Sequence, residues 1–464
     1  MSCPKPLSSL LETYGQSHLL EFWDALLPPQ QKHLQDQIES IDFQQLRLLL
    51  AQEGMEQTWS EKAAVAEPPP AITLDQFRDS VAHNHALKLG GDAIAAGKVA
   101  MVLTAGGQGS RLGFDHPKGM FPIGPISRRS LYQIIIEKVA ARAKQFGGSI
   151  PFYVMTSPPT HFESSNYLTQ HERFGYPEGD FRIFCQGVMP AVDSDGKIIL
   201  AEKHSVFQSP DGHGGTIAGL VKSGYLQEML DRGVEYIFYG QVDNPLIQAC
   251  DPALIGFHIM NESEMTTQVI RKNEPLQKVG NVVSVDGNVQ IIEYSDLPDA
   301  YAKTENPDGS LRFWAGSIAV HVFNSAFLDR VRHDTDSLPF HRAQKKVPYI
   351  DSDGKVVQPE HANATKFEKF IFDLLPKAKN AIVCEVEPEE GFCAVKNAAP
   401  ASSETPEHVK KAISDLHRKW LTRAGVSVAE GVAVEINPFR AVDEQEVAAR
   451  LGKMKAVVES TYFE

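Results

Sequence analysis

A short stretch after residue 99 combines glycines with two cations in a pattern typical of a phosphate-binding loop. An apolar run stops at this stretch, in which the glycines and cations of interest are Gly106, Gly107, Gly109, Arg111 and Lys118. Glycine lets backbone N–H groups approach an anion closely, and the two cations add charge that backbone dipoles alone do not supply. We expect a buried strand that leads into a loop for phosphate groups, and hence nucleotide chemistry. A purely structural glycine turn is the alternative.

The spacing of the loop argues against two common nucleotide-binding motifs. Counted from Gly107, the third glycine, Gly113, comes one position late for G-x-G-x-x-G. No Asp or Glu lies about 20 residues further on to hold a ribose, since the first acidic residue beyond the turn region is Glu137. The Walker pattern G-x-x-x-x-G-K-[ST] does not occur in the sequence. A dinucleotide-dependent oxidoreductase is therefore disfavoured.

Composition narrows the class of partner. The 464 residues carry a formal net charge of -14 with 42% hydrophobic residues, so we expect no nucleic-acid partner and no anionic membrane surface. The amino terminus lacks a signal-peptide pattern, and no apolar run approaches the length that a bilayer needs. The five cysteines are far apart and contain no C-x-x-C pair, which predicts neither disulfides nor a zinc site. We expect a cytoplasmic protein without an obligate protein partner.

The order of elements predicts an α/β fold. Helical spacing of apolar residues over 7–50 predicts a helical amino-terminal region, and a proline-rich linker follows it. Short apolar runs then alternate with helical stretches, which is typical of a mostly parallel, mixed sheet flanked by helices. The predicted strands are Val99–Leu103, Pro151–Met155, Tyr236–Tyr239, Met265–Ile270 and Val282–Val285.

Four Asp-Gly pairs, at 195–196, 286–287, 308–309 and 353–354, predict hairpins that add antiparallel strands at the edge of this sheet. A loop-like stretch after residue 400 leads into a helix near Glu407. We predict three regions: a helical one at 1–90, a catalytic domain at 91–384 and a small carboxy-terminal domain at 385–464.

The loop and several distant segments resemble one family. Residues 103–118 are similar to the signature L-x-x-G-G-x-G-[TS]-R-L-G-x-x-x-P-K of the eukaryotic-type UTP-dependent sugar-1-phosphate uridylyltransferases, most closely the UDP-N-acetylglucosamine pyrophosphorylases. Segments at 184–190, 209–215, 241–245, 279–282, 292–295, 343–349, 366–373 and 394–398 match in the family's order. The resemblance covers roughly residues 70 to 425 and implies a Rossmann-like, GT-A-like nucleotidyltransferase core.

The family reaction joins a sugar 1-phosphate to UTP and releases pyrophosphate, with a UDP-sugar as product. Attack by the sugar phosphate needs no protein nucleophile, so catalysis rests on positioning and on cancelling phosphate charge. The resemblance implies Arg111, Lys118 and Lys396 as catalytic cations and Asp243 as the ligand of Mg²⁺, a cation that favours carboxylate oxygens. Implied nucleotide-binding residues are Leu103, Ala105, Gly106, Gly107, Gly109, Gln186 and Gly212. The role of the lysine pair at 345–346 stays open, since such pairs often lie on a solvated face.

The sugar pocket departs from the closest branch of the family. The implied sugar-binding residues are His213, Gly280, Glu293 and Ser317, and the N-acetylglucosamine enzymes usually carry asparagine where this chain has His213 and Ser317. A serine hydroxyl offers one donor where a carboxamide offers two. We expect N-acetylglucosamine 1-phosphate as the substrate, with a UDP-glucose or broad UDP-sugar pyrophosphorylase as the alternative. A regulatory protein that binds sugar nucleotides without catalysis is the alternative from another class.

Overall fold

The computed structural model describes residues 3–51, 59–334, 338–401 and 403–464. Its α-helices are α1 (Lys5–Thr13), α2 (Pro28–Glu39), α3 (Phe43–Ala51), α4 (Trp59–Val65), α5 (Leu74–Phe77), α6 (Ser80–Ala95), α7 (Leu131–Phe146), α8 (Pro158–Gln170), α9 (Gly215–Lys222), α10 (Tyr225–Asp231), α11 (Pro252–Met260), α12 (Asp299–Ala302), α13 (Ser325–Val331), α14 (Pro388–Gly391), α15 (Pro406–Arg423) and α16 (Glu444–Leu451).

The strands are β1 (Ala71–Ile72), β2 (Val99–Thr104), β3 (Phe152–Thr156), β4 (Phe181–Cys185), β5 (Val188–Pro190), β6 (Leu200–Glu202), β7 (Ser205–Val206), β8 (Gln208–Pro210), β9 (Tyr236–Gln241), β10 (Met265–Arg271), β11 (Gly280–Val285), β12 (Asn288–Ile292), β13 (Ala315–Asn324), β14 (Phe340–Lys345), β15 (Tyr349–Ile350), β16 (Val356–Val357), β17 (Ala364–Lys369), β18 (Ala381–Glu385), β19 (Ser427–Val428), β20 (Val434–Ile436), β21 (Ala456–Val457) and β22 (Thr461–Phe463). The five strands predicted from sequence are confirmed.

The chain forms two compact units. The first comprises Met1–Gln57, Gln186–Gly215 and Leu338–Ile371, and the second comprises Thr58–Cys185, Thr216–Ser337 and Phe372–Glu464. The predicted boundaries at 90/91 and 384/385 stay a prediction about independently folding domains, because the compact units group the chain in another way. Residues 90 and 91 both lie inside α6.

In the first unit, helices α1 to α3 bury one apolar face. Leu11, Leu34 and Ile38 from these helices pack in one cluster with Ile198 and Phe367 from the later segments. Four short antiparallel pairings, β5 with β8, β6 with β7, β14 with β17 and β15 with β16, form the strand part of this unit. The predicted helical amino terminus is confirmed.

A ten-stranded mixed sheet forms the centre of the second unit. The strand order is β1-β18-β10-β13-β9-β2-β3-β4, with β11 paired to β13 and to β12. Strand β13 runs antiparallel to both of its neighbours on this path, whereas β9, β2, β3 and β4 run parallel. Every residue of β2 is buried, and helices α6, α7 and α11 contribute to the core that covers the sheet. The predicted fold class, a mixed sheet flanked by helices, is confirmed.

The four predicted Asp-Gly turns form, and their glycines have φ values of 73° to 81°. Only the turn at 286–287 joins strands of the large sheet, β11 and β12. The turn at 353–354 connects β15 and β16 in a separate pair, and those at 195–196 and 308–309 are closed by isolated bridges. The prediction that all four extend the sheet edge is therefore wrong, because a turn signal is local and does not select the pairing partner.

Candidate functional site

The glycine loop begins where β2 ends, at the carboxyl edge of the central strands. The N–H of Ala105 still donates to the neighbouring strand, and the carbonyl oxygen of Gly106 accepts from Ser157 Oγ at 2.6 Å. The N–H of Lys118 donates to the carbonyl oxygen of Gly107 at 3.0 Å. The loop therefore doubles back, and Lys118 lies beside the first glycines although eleven positions separate it from Gly107.

The middle of the loop is compact. A Cβ on Gly109 would come within 2.6 Å of the carbonyl oxygen of Phe114, so this position requires glycine. Arg111 lies on a short 3₁₀ turn, Ser110–Leu112. Leu103, which the resemblance implies in nucleotide binding, is fully buried in the core, so its side chain packs against apolar neighbours and only its backbone reaches the sheet edge.

Asp243 lies on the same edge, just past the end of β9. Strand β9 is parallel to β2, and the N–H of Val242 donates to the carbonyl oxygen of Thr104 at 3.0 Å. Carboxylate oxygen Oδ2 of Asp243 lies 3.6 Å from Nζ of Lys118, and both side chains are about one-sixth exposed. The predicted cation and the predicted metal ligand are therefore adjacent.

Asn244 is a further residue of the site, and the sequence patterns assign it no role of its own. Its side chain is 2% exposed, donates to the carbonyl oxygen of Gly391 at 2.8 Å and accepts from the N–H of Cys393 at 3.0 Å. It thereby fixes the segment that leads to Lys396. The V-D-N motif around it was the available signal.

The segment around Lys396 lies between the two phosphate-binding candidates. The N–H of Val395 donates to the carbonyl oxygen of Asp243 at 2.9 Å. The N–H of Ala398 donates to the carbonyl oxygen of Arg111 at 3.1 Å. Nζ of Lys396 lies 3.0 Å from Oε1 of Glu404. The backbones at Arg111, Lys118, Asp243 and Lys396 therefore meet at one edge, and Glu404 is a partner that the sequence did not indicate.

Three predicted sugar-binding residues also meet in the second unit. Gly280 of β11 is paired with Ser317 of β13. A Cβ on Gly280 would lie 3.1 Å from Oε1 of Glu293 and 3.8 Å from Cβ of Ser317. The hydroxyl oxygen of Ser317 accepts from the N–H of Ala319 at 3.3 Å. Glycine at 280 therefore leaves room for the Glu293 carboxylate beside Ser317.

A buried lysine that the sequence did not single out holds the backbone beside these three sugar-binding candidates. Lys272 is 5% exposed, and its Nζ donates to Oδ1 of Asn281 at 2.6 Å. Burial lowers the pKa of Lys272 to about 8. Asn281 in turn donates to the carbonyl oxygen of Ile292 at 3.3 Å, the residue before Glu293. This chain of bonds holds the backbone from which Glu293 projects.

In the first unit, Gln186 and Gly212 lie on segments that are held together at Asp211. Gln186 is 7% exposed, and the N–H of Asp211 donates to the carbonyl oxygen of Gly187 at 3.1 Å. Burial raises the pKa of Asp211 to about 6, against an opposing effect of nearby Lys369. Gly212 has φ +84°, a conformation that side chains other than glycine rarely adopt.

His213 is neutral at physiological pH. Its Nδ1 accepts from the N–H of Ile371 at 3.2 Å, and its ring stacks on Phe370 with 5.3 Å between centroids. Burial, with a smaller contribution from His341, lowers the pKa of His213 to about 4. Because Nδ1 accepts, Nε2 carries the proton and is the donor that the ring offers. Lys345 and Lys346 are exposed at the end of β14.

The described residues contain neither a cluster of metal-ligating side chains nor a membrane-spanning helix. Outside the gaps at 1–2, 52–58, 335–337 and 402, no group of three or more His, Cys, Asp or Glu side chains is arranged to hold a metal ion. Over the same residues, no helix is both long and apolar enough to cross a bilayer.

Comparison with known proteins gives the family. The model of the UTP–glucose-1-phosphate uridylyltransferase family matches residues 42–406. The chain is 37% identical over 436 residues to UDP-N-acetylhexosamine pyrophosphorylase-like protein 1 of Xenopus tropicalis, covering 89% of this chain and 84% of that protein. The chain belongs to this family.

Other relatives agree with this membership. The UDP-N-acetylglucosamine pyrophosphorylase of Saccharomyces cerevisiae is 33% identical over 443 residues, covering 91% of this chain and 92% of that protein. The uridine diphosphate N-acetylglucosamine pyrophosphorylase of Trypanosoma brucei, solved with an inhibitor, has a TM-score of 0.83 at 24% identity over 97% of this chain and 96% of that one, which shows the shared fold. The chain is a uridylyltransferase with an α/β nucleotidyltransferase fold.

Proposed function

We propose that this uridylyltransferase forms a UDP-sugar and pyrophosphate from UTP and N-acetylglucosamine 1-phosphate. The main support is the meeting of the backbones at Arg111, Lys118, Asp243 and Lys396 at the carboxyl edge of β2 and β9, where α/β sheets bind their ligands. The names of the Xenopus and yeast relatives support an N-acetylated hexosamine as the sugar.

In the proposed mechanism, the sugar phosphate oxygen attacks the α-phosphorus of UTP in line and pyrophosphate departs. The guanidinium of Arg111 grips phosphate oxygens with two parallel donors, and Lys118 adds a compact charge. Lys396 adds a third cation from the segment whose backbone is bonded to Arg111 and Asp243. These groups hold the phosphates and oppose the charge that accumulates on the leaving pyrophosphate.

The Asp243 site fits Mg²⁺. A mostly buried carboxylate next to a phosphate-binding lysine provides a hard oxygen ligand, and Mg²⁺ typically takes one or two carboxylates and completes its shell with phosphate oxygens and water. When bound, the ion would neutralise part of the phosphate charge. Asp243 would hold it, and a cage of three protein ligands is not needed.

Recognition of the two organic parts uses different residues. We assign Gln186 and the backbone at residues 105–107 to the uracil edge. Glu293 accepts hydrogen bonds from sugar hydroxyls, and the hydroxyl of Ser317 offers a donor. His213 stays a sugar-binding candidate on the family resemblance. His213 and Ser317 are also the observation that favours the second candidate, a UDP-glucose or broad UDP-sugar pyrophosphorylase.

Steady-state assays with UTP and Mg²⁺ test the proposal. The substrates are the 1-phosphates of N-acetylglucosamine, N-acetylgalactosamine, glucose and galactose, and the readout is pyrophosphate release. We expect the highest kcat/KM with N-acetylglucosamine 1-phosphate. A higher value with glucose 1-phosphate would make the second candidate correct, and UTP binding without turnover of any sugar phosphate would favour the regulatory alternative.

Variants in the same assay test the catalytic roles. Lys118→Ala is expected to lower kcat by about a hundredfold or more, since it removes a charge that opposes the phosphates. Lys144→Ala, which removes an exposed lysine on α7, is the control and should leave kcat unchanged. Equal rates for the two variants would contradict the role of Lys118.

The proposal includes a reducing, cytoplasmic location. All five cysteines lie within the described residues and each is a free thiol, as expected where disulfides do not persist. Fractionation of cells that express the tagged chain would test the compartment.

A further inference from the structure

The ammonium group of Lys396 is engaged by a carboxylate. Its Nζ lies 3.0 Å from Oε1 of Glu404, and about one-third of the lysine side chain is exposed. Asn397 also points its amide at Glu404, with 3.5 Å between Nδ2 and Oε2. Two neighbouring side chains therefore converge on one carboxylate.

The backbone reinforces this pairing. The carbonyl oxygen of Glu404 accepts from the N–H of Lys396 at 2.8 Å and from that of Asn397 at 3.1 Å. Glu404 itself has φ +58°, an unfavourable conformation for a residue with a Cβ. The loop at 403–405 is therefore tied to the Lys396 segment at the backbone and at the side chain.

Glu404 borders a cavity of about 640 Å³. Cys393, Asn397 and His408 line the same cavity, whereas Arg111, Lys118 and Asp243 are not among the described residues that line it. The backbone of Lys396, in contrast, lies between Arg111 and Asp243, through its neighbours Val395 and Ala398. The side chain of Lys396 is thus held by a group on the cavity side while its backbone borders the phosphate edge.

We propose that Glu404 is a positioning residue that holds Lys396 by this ion pair and thereby sets the affinity for triphosphate and pyrophosphate. Lys396 can bind a phosphate fully only after it leaves the Glu404 carboxylate. The ion pair therefore weakens anion binding as long as Glu404 is charged. This inference rests on the proposed role of Lys396 in uridylyl transfer.

Glu404→Gln tests the proposal because it removes the charge and keeps the shape and the backbone hydrogen bonds. An ion pair with this exposure has a modest free energy, so the KM for UTP and for pyrophosphate in the reverse reaction should fall by about two- to fivefold. The KM for the sugar 1-phosphate should stay unchanged. Asp415→Asn, which removes the carboxylate of an exposed pair with Lys411 on α15, is the matched control.

A double variant separates positioning from a general structural effect. In a Lys396→Met background, Glu404→Gln should no longer change the KM for UTP or pyrophosphate, because Glu404 acts through Lys396. An unchanged KM in the single variant, or an equal change with and without Lys396, would overturn the proposal.

Equilibrium binding of UTP, measured by calorimetry without sugar phosphate, distinguishes this inference from the proposed function. Tighter UTP binding by Glu404→Gln supports the inference even if no sugar phosphate reacts, in which case the proposed function alone fails. Equal UTP binding by the variant and the native chain contradicts the inference even if the native chain forms a UDP-sugar.

Discussion

The carboxyl group of Asp211 shows how one buried charge shapes the segment that carries Gln186 and His213. A Cβ on Gly187 would lie 2.6 Å from Oδ2, and one on Gly215 would overlap the carboxyl group. Oδ1 is buried without a hydrogen-bond partner among the described residues. The site therefore disfavours the charged form, which is why the pKa of Asp211 rises to about 6.

This shift predicts a pH dependence of stability. The ordinary pKa of the aspartate is 3.8, so between pH 4 and pH 6 the folded chain binds more protons than the unfolded chain. Stability contributed by this group is present below pH 4 and declines as the pH rises to 6, by about 3 kcal/mol for a shift of this size. Asp211→Asn cannot lose a proton and should unfold at higher urea concentration than the native chain at pH 7.5.

The difference in urea midpoint between Asp211→Asn and the native chain should shrink towards pH 4. Asp24→Asn, which changes an exposed aspartate in the same unit, serves as the control and should give no pH-dependent difference. A constant difference at both pH values would contradict the assigned effect of burial.

Local sequence patterns predict the candidate phosphate- and metal-binding residues better than they predict the residues that hold the site in place. Lys118 and Asp243 follow from the glycine loop and from a polar residue at a strand end, and the structure places them 3.6 Å apart. Glu404 lies in a polar loop with no distinctive pattern, and Lys272 lies in an ordinary charged stretch. Their roles depend on contacts made by the folded chain, which neither periodicity nor spacing encodes.

At the scale of elements, a close helix crossing supports the sheet that carries the site. Helices α6 and α11 meet at Gly90 and Gly256, where a Cβ would overlap the carbonyl oxygens of Pro252 and Ala86. All four of these residues are buried. Such backbone contact is possible only without side chains at the two glycines, so these positions fix how closely the two helices pack.

Gly90→Ala should therefore destabilise the second unit. Alanine favours a helix by about 1 kcal/mol over glycine, but the overlap with Pro252 costs about 1–3 kcal/mol or more and outweighs that gain. Gly179→Ala is the control, because its Cβ would meet nothing within 4 Å and its φ is not positive. A lower urea midpoint is expected for Gly90→Ala alone, and equal midpoints for both variants would contradict the packing argument.

The elements that sequence predicted well are those whose signal is local. Strand β2 is an apolar run bounded by a glycine turn, and its confirmed bounds differ from the prediction by one residue. Strand β13 was not predicted: it begins with small residues, and its pairing with β10 is interrupted after Ser317, where Ala319 has φ +55°. A bulge of this kind breaks the alternation on which strand prediction relies.

At the scale of the molecule, the first unit is assembled from three separate stretches of chain. The apolar faces of α1 to α3 are completed by Met189, Val206 and Phe367. Sequence analysis predicts contiguous domains, because composition and linkers locate boundaries along the chain and do not show which distant segments pack together. The α/β class could be predicted from element order, whereas this grouping depends on long-range packing.

Ligand binding should stabilise the whole chain, since UTP binds the folded state only. At a hundredfold excess over its Kd, a ligand adds about 2.7 kcal/mol, so the midpoint of thermal unfolding should rise with UTP and rise further with UTP and Mg²⁺. Asp243→Asn should lose the increment due to Mg²⁺ and keep the one due to UTP, because Arg111 and Lys118 remain. EDTA should reproduce this loss in the native chain.

Asp231→Asn, an exposed aspartate at the end of α10, is the matched control and should retain both increments. If Mg²⁺ adds nothing to the native chain in the presence of UTP, the assignment of Asp243 as a metal ligand is wrong. If Asp243→Asn loses the increment due to UTP as well, the carboxylate instead positions Lys118, with which it forms an ion pair at 3.6 Å. The two increments in the midpoint of thermal unfolding therefore distinguish binding of the metal by Asp243 from binding of UTP by the cations at the same edge of the sheet.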